Sequence, residues 1–152
     1  MPVLTDRPIP LPVPATHHHL ESLAAEVHRM YFSKYPPLPV RWGQQISRKN
    51  RRTIRLGSYN HHTAEMRVHP ILNRHTTPAF FIQSIIYHEY LHHVLGPSHN
   101  RRFHKAERQF RYNRVSQEWL RRNLWALLGR KKSVLRARVV VDAPPTPQMA
   151  LF

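Results

Sequence analysis

The chain has 152 residues, a length that suits one domain with a single hydrophobic core. Its 24 Lys and Arg against 8 Asp and Glu give a formal net charge of +16, which favours a polyanionic partner such as nucleic acid or an acidic membrane surface. The absence of cysteine excludes disulfides, thiol nucleophiles and Cys-ligated zinc, so a metal site must be built from histidines and carboxylates.

Both ends of the chain are predicted to lie outside the domain, which we place at residues 16–129. Residues 1–15 form a proline-rich arm, whose prolines interrupt the apolar run that a signal peptide requires. Residues 130–152 form a basic and proline-rich tail that we expect to be mobile. The longest apolar run, residues 79–87, is well short of the roughly 18 residues of a membrane span. We therefore expect a cytoplasmic protein with no membrane partner, and its charge is compatible with association with the nucleoid.

The first part of the domain is predicted to contain one helix and a small sheet. Thr16 is a suitable N-cap, and Pro36 and Pro37 end the helix. The apolar face of this helix comprises Leu20, Leu23, Ala24, Val27, Met30 and Tyr31. Three segments then have strand character, namely residues 40–42, 52–59 and 64–68. Their short connections predict an antiparallel sheet.

The second part is predicted to be helical. Thr77 and Pro78 are typical of a helix start, and Gly96-Pro97 of a helix end. Apolar residues surround most of the helix between them, which places it in the middle of the fold. Further helices are predicted over residues 100–112 and 116–129. We therefore expect an α+β fold with the small antiparallel sheet packed against this central helix.

The central helix carries the pattern His-Glu-x-x-His. His88 and His92 are four residues apart, so both imidazoles lie on one helix face and can bind the same ion. Glu89 lies beside them, where a carboxylate can take a proton from water and pass it to a leaving amine. Zn²⁺ suits this chemistry because it polarises a carbonyl without redox reactions.

Catalytic zinc usually has three protein ligands, so a third must be found. We predict His99, because the Gly96-Pro97 break turns the chain back toward the first two histidines. The alternatives are His93, His104 and Glu107. Glu107 has two further interpretations: it accepts a hydrogen bond from a ligand imidazole, or it is a solvated carboxylate paired with Arg111.

Several other residues are candidates for contacts with a substrate or partner. His69 is a candidate oxyanion contact, while Tyr59, Tyr87 and Tyr112 are either hydrogen-bond donors or core residues. Phosphate contacts are predicted for three basic groups, namely Arg48, Lys49, Arg51 and Arg52, then Arg101 and Arg102, then residues 130–138. Trp42 could stack on bases, although Trp42, Trp119 and Trp125 fit the core better.

Residues 20–112 resemble the SprT-like metallopeptidases. The resemblance rests on Arg41-Trp42-Gly43, Arg52 to Leu56, His69-Pro70, Ile85 to His93, and His99 with Phe103. The YgjP-type group of zinc peptidases is similar in its Trp-Gly strand and its later histidine. The resemblance implies a zincin-like minimal metallopeptidase fold, zinc on His88, His92 and His99, and Glu89 as the catalytic base. SprT-like enzymes include proteases that degrade proteins covalently trapped on DNA. The resemblance therefore implies that DNA is the polyanion attracted by the positive charge of the chain.

The predicted function is zinc-dependent hydrolysis of peptide bonds in protein or peptide substrates, with DNA-bound or DNA-crosslinked proteins as the substrates that the resemblance implies. The alternative is a nucleic-acid-binding protein whose zinc site is structural or has lost its activity. Glu89 disfavours the alternative, because a structural zinc site needs no base and usually has four protein ligands. A third interpretation is metal-dependent hydrolysis of a non-peptide bond.

Overall fold

The computed structural model describes residues 17–44 and 53–128, together with the backbone of residues 138–140. Four helices are described, in order α1 (Leu20–Tyr31), α2 (Ala79–Leu95), α3 (Arg101–Glu107) and α4 (Asn113–Leu127). The strands are β1 (Val40–Trp42), β2 (Thr53–Arg55), β3 (Gly57–Asn60), β4 (Glu65–Val68) and β5 (Arg138–Val140). The α+β class is thereby confirmed. The predicted arm, residues 1–15, and most of the predicted tail lie outside the described residues.

Helix α2 lies at the centre of the fold, as the apolar residues around most of its circumference predict. It packs against α1, α3, α4 and the strands β3 and β4. Residues 81 to 92 are buried without interruption, including the polar side chains of Gln83, His88, Glu89 and His92. An ionisable group in such a position is costly to desolvate unless it is bonded, so these polar side chains need partners within the fold. None of the described helices has the length and apolar character needed to span a lipid bilayer.

The three-stranded sheet is mixed, so the prediction of an antiparallel sheet is wrong. The strand order is β1-β4-β3, with β3 antiparallel to β4 and β1 parallel to it. The short β3–β4 connection allows the antiparallel hairpin, but β1 joins the sheet from a distant part of the chain. Alternation of apolar residues predicts which face of a strand is buried, and not the direction of its neighbour.

The predicted strand over residues 52–59 is two strands in two different sheets. The break is at Leu56, which is completely buried, and its carbonyl accepts a hydrogen bond from the His69 amide. After the break β3 pairs with β4, whereas β2 pairs in parallel with β5 of the tail. Strand β5 was not predicted, because a three-residue strand preceded by a run of basic residues carries little signal.

The helix boundaries differ from the prediction by a few residues. His19, rather than Thr16, caps α1, and its Nδ1 accepts a hydrogen bond from the Ser22 amide at 3.2 Å. Pro78 occupies the N-cap of α2, so that helix begins one residue later than predicted. The predicted helix over residues 100–112 ends at Glu107, and α4 begins at Asn113 instead of residue 116. Residues 108–112 form turns, although Phe110 continues the apolar spacing of Phe103 and Ala106 and is buried in the core, so the apolar pattern did not mark the helix end.

Candidate metal centre

Three histidine nitrogens converge beside α2. The Nε2 atom of His92 lies 3.3 Å from that of His88 and 2.9 Å from that of His99, and the last two are 3.3 Å apart. Tetrahedral zinc with bonds of about 2.0–2.1 Å would separate its nitrogen ligands by roughly 3.3 Å. Among the described residues, these three histidines form a group that could hold a metal ion, and two of the three spacings equal the separation expected for zinc.

Hydrogen bonds on the opposite ring nitrogens orient two of these imidazoles. His92 Nδ1 lies 2.9 Å from the carbonyl oxygen of Gly96, which can only accept, so this nitrogen carries the proton. His88 Nδ1 lies 2.5 Å from a carboxylate oxygen of Glu107 and is likewise the donor. In the neutral rings of His88 and His92 the lone pairs therefore reside on the Nε2 atoms, which are 3.3 Å apart. Converging lone pairs repel one another, and a cation between them removes that repulsion.

Gly96 explains how His99 reaches the other two histidines. It ends α2 with φ of 93° and ψ of −177°, a conformation that is nearly restricted to glycine. Asn100 then caps α3 by accepting the Phe103 amide at 2.9 Å, which fixes the chain just after His99. His88 and His92 are 1% and 2% exposed, whereas His99 is half-buried. The approach from solvent is therefore on the His99 side.

Phe103 forms a hydrophobic wall for the three rings. It is completely buried, and its ring centroid lies 4.9, 4.6 and 4.9 Å from those of His88, His92 and His99. A large apolar ring on one side leaves few rotamers for the imidazoles, which holds their nitrogens in place before an ion binds.

Glu89 is buried between α2 and β3. Its side chain is 0% exposed, and a Cβ built on Gly57 would lie 3.1 Å from its Oε2 atom. The same Cβ would lie 2.4 Å from Cγ2 of Ile85, far inside van der Waals contact. Strand β3 can therefore approach the helix at this level only because residue 57 lacks a side chain.

Glu107 has the orienting contact that was one of its two predicted interpretations. Its Oε2 accepts the His88 hydrogen bond, and its Oε1 lies 3.5 Å from Nδ1 of His104. Burial alone would raise the pKa of Glu107, but the hydrogen bond from His88, aided by the contact with His104, brings the pKa below its usual value. The carboxylate therefore stays ionised where it can strengthen His88 as a ligand.

The remaining candidate residues lie apart from the three nitrogens or have other partners. His93 Nδ1 is hydrogen-bonded to the Tyr59 hydroxyl at 2.5 Å, on the face of α2 that meets β3. His69 Nδ1 accepts the Ile71 amide at 3.0 Å, as the cap of a short 3₁₀ turn. Tyr87 donates to the Ala106 carbonyl at 2.6 Å, as expected for a core tyrosine.

Two of the predicted phosphate-binding groups lie outside the described residues. These are Arg48, Lys49, Arg51 and Arg52, and residues 130–137. Arg101 and Arg102 are exposed at the start of α3, directly after His99. Trp42 and Trp119 are half-buried against the core, and the Trp119 ring packs on Phe81 with centroids 4.4 Å apart. Both tryptophans therefore pack against the core without being among its fully buried residues.

Sequence reasoning missed Gly57 and the pairing of Tyr59 with His93. A glycine inside a strand indicates that another group approaches the backbone closely, so the close contact at Gly57 could have been predicted from sequence. The hydrogen bond between Tyr59 and His93 could not have been predicted, because the two residues are far apart in sequence and meet only where β3 packs on α2.

Comparison with protein-family models, curated proteins and solved structures found no match to this chain.

Proposed function

We propose that this protein is a zinc-dependent metallopeptidase with a zincin-like fold. The observation that carries the proposal is the convergence of the Nε2 atoms of His88, His92 and His99 within 3.3 Å of one another. A glutamate follows the first of these histidines on the same buried helix. Three neutral nitrogen ligands with a neighbouring carboxylate are the donor set of a hydrolytic zinc site, whereas a structural zinc site usually has four protein ligands.

Each group has a separate task in the proposed reaction. Zinc held by the three histidines would supply a Lewis acid for the scissile carbonyl and for the attacking water. Glu89 removes a proton from the attacking water as the new C–O bond forms, and delivers a proton to the amine nitrogen as the C–N bond breaks. Glu107 keeps the His88 ring oriented and its Nδ1 protonated throughout. Gly57 leaves the space in which the Glu89 carboxylate lies.

The family that we propose is the SprT-like metallopeptidases, with the YgjP-type group as its nearest alternative. Support comes from the motifs around His88 and His99 and from the basic composition of the chain. The substrates that we propose are proteins, including proteins bound or crosslinked to DNA. A cytoplasmic location with access to the nucleoid follows from that substrate.

Replacing Glu89 by Gln tests the proposed reaction. The amide has nearly the same shape and cannot accept the proton, so we expect proteolysis of an unfolded protein substrate to fall by at least about 10²-fold. Zinc content should stay the same, because Glu89 is not a ligand. Glu118→Gln is the matched control, since Glu118 is exposed and pairs with Arg122 on α4. Full activity in Glu89→Gln, or loss of zinc along with activity, would contradict the assigned role.

A nucleic-acid partner is proposed for the basic segment, which we define as residues 101–122. Its exposed cations are Arg101, Arg102, Lys105, Arg108, Arg111, Arg114, Arg121 and Arg122. The acidic side chains within it are Glu107, which contacts His88, and Glu118, which pairs with Arg122. Such an excess of positive charge attracts phosphates without regard to base sequence.

The salt dependence of binding tests this partner. We expect DNA affinity to fall steeply with salt, and a variant with Gln at Arg101, Arg102 and Lys105 to show a shallower slope. If this variant and wild type bind DNA identically at every salt concentration, the basic segment is not the interface. DNA binding by a protein that retains zinc but cleaves no protein would instead favour the alternative function, a nucleic-acid-binding protein with a structural or inactive zinc site.

A further inference from the structure

A second hydrogen-bonded pair lies next to Glu89 on the same face of α2. Residues Glu89 and His93 are four apart on the helix, so their side chains are neighbours along one face. Gly57 and Tyr59 are two apart on β3, so they share one face of the strand. Gly57 lies against Glu89, and the Tyr59 hydroxyl reaches Nδ1 of His93 at 2.5 Å. The Tyr59–His93 pair is therefore one helical turn, about 5.4 Å, beyond Glu89.

The pair always keeps one hydrogen-bond donor for a further partner. If the Tyr59 hydroxyl donates to Nδ1 of a neutral His93 ring, the proton of that ring is on Nε2. If Nδ1 donates to the hydroxyl oxygen, the hydroxyl proton is available instead. Either arrangement presents one N–H or O–H group to a ligand. A carbonyl oxygen, which only accepts, is the matching group on a peptide.

Both side chains are accessible yet held in place. Tyr59 and His93 are half-buried, unlike the completely buried Glu89. The Tyr59 ring packs edge-on against His61 with centroids 4.7 Å apart, and the His93 ring packs against Tyr90 with centroids 6.0 Å apart. Burial raises the pKa of Tyr59, so its hydroxyl remains a donor at neutral pH.

We infer that the Tyr59–His93 pair binds a backbone carbonyl of the substrate, one or two residues from the bond that is cleaved. The inference rests on the proposed peptidase function. An extended peptide advances about 3.3 Å per residue, so a chain whose scissile bond lies beside Glu89 reaches the pair within two residues. The donor of the pair contacts the substrate, and the other member acts as a positioning residue that fixes the donor.

Tyr59→Phe removes the hydroxyl and keeps the ring. The change removes either the donor to the peptide carbonyl or the partner that fixes that donor, so KM should rise about 3- to 10-fold while kcat stays within about twofold. Zinc content should be unchanged, and the melting temperature should fall by only a few degrees, as expected for the loss of one half-buried hydrogen bond. Calorimetric binding of an uncleaved substrate peptide to the zinc-loaded Glu89→Gln protein, with and without Tyr59→Phe, should show the same loss of affinity without any turnover. Tyr35→Phe is the control, because Tyr35 is exposed beyond the end of α1.

Variants at His93 separate substrate binding from a purely structural role. The Asn side chain places an amide near the position of Nδ1, so His93→Asn should retain much of the wild-type KM, whereas His93→Leu should match Tyr59→Phe. An unchanged KM and peptide affinity in Tyr59→Phe would overturn the inference while leaving the peptidase intact. If the wild-type protein neither binds nor cleaves peptides, the proposed function and this inference both fall.

Discussion

At the scale of single residues, the site depends on which ring nitrogen of each histidine carries the proton. The Gly96 carbonyl and the Glu107 carboxylate hold that proton on Nδ1 of His92 and His88, which leaves Nε2 to bind a cation. A carbonyl contributes a dipole, whereas the carboxylate contributes a full charge close to the ligand ring. The charged contact should therefore have the larger effect on metal affinity.

Glu107→Gln tests that contact. The amide oxygen can still accept from His88 Nδ1, but the negative charge is lost, so we expect zinc affinity to fall about 10- to 100-fold. Competition with a chromophoric chelator measures the change, and Glu118→Gln on the exposed face of α4 is the control. Equal zinc affinity in Glu107→Gln and wild type would mean that the carboxylate does not tune the ligand.

The predicted ligands could be named from sequence because their geometry is local. Spacing of four residues on a helix places His88 beside His92 in any fold, and the Gly96-Pro97 break limits where the chain can go next. The converging Nε2 atoms agree with that reasoning. The choice between the two interpretations of Glu107 could not be made, because it depends on how α3 packs against α2.

At the scale of elements, the position of β3 against α2 brings the backbone of Gly57 next to Glu89. Long-range packing of this type is not encoded in apolar periodicity, which explains why the mixed sheet and the break at Leu56 were missed. Helices α1 and α2 were easier, since their apolar patterns extend over several turns. Their ends were predicted less well, because local polar residues such as Thr16 and His19 compete as caps.

Gly57→Ala tests the approach of β3 to α2. The new methyl group would lie 2.4 Å from Ile85 Cγ2, so we expect a loss of about 1–3 kcal/mol in the free energy of unfolding. Gly43→Ala is the matched control, since its Cβ would meet only ordinary contacts at 3.7 and 4.0 Å. Urea denaturation measures both.

Ile85→Leu provides a second-site check on the same contact. Leucine has no methyl group at the Cγ2 position, so combining it with Gly57→Ala should recover part of the lost stability. If Gly57→Ala is as stable as Gly43→Ala, then β3 does not approach Ile85 on α2 as closely as the structure indicates.

At the scale of the whole molecule, charge and metal binding affect different properties of the protein. The net charge of +16 affects the encounter with polyanions and does not determine the fold. A metal ion held by the three histidines would affect stability, because they lie on α2 and in the turn before α3, and an ion bound only by the folded protein stabilises it. Composition alone could predict the attraction of polyanions. Stabilisation by a metal ion could not be predicted in this way, because it depends on how α3 packs on α2.

Zinc stoichiometry measured by equilibrium dialysis is the most direct test of the site. Wild-type protein should bind one zinc ion per chain, and His99→Ala should bind well below that amount at the same free zinc concentration, because two imidazoles alone hold zinc weakly. His62→Ala, which removes an exposed histidine in the turn between β3 and β4, should bind like wild type. Equal stoichiometry in His99→Ala and wild type, or no zinc on either, would contradict a three-histidine metal centre.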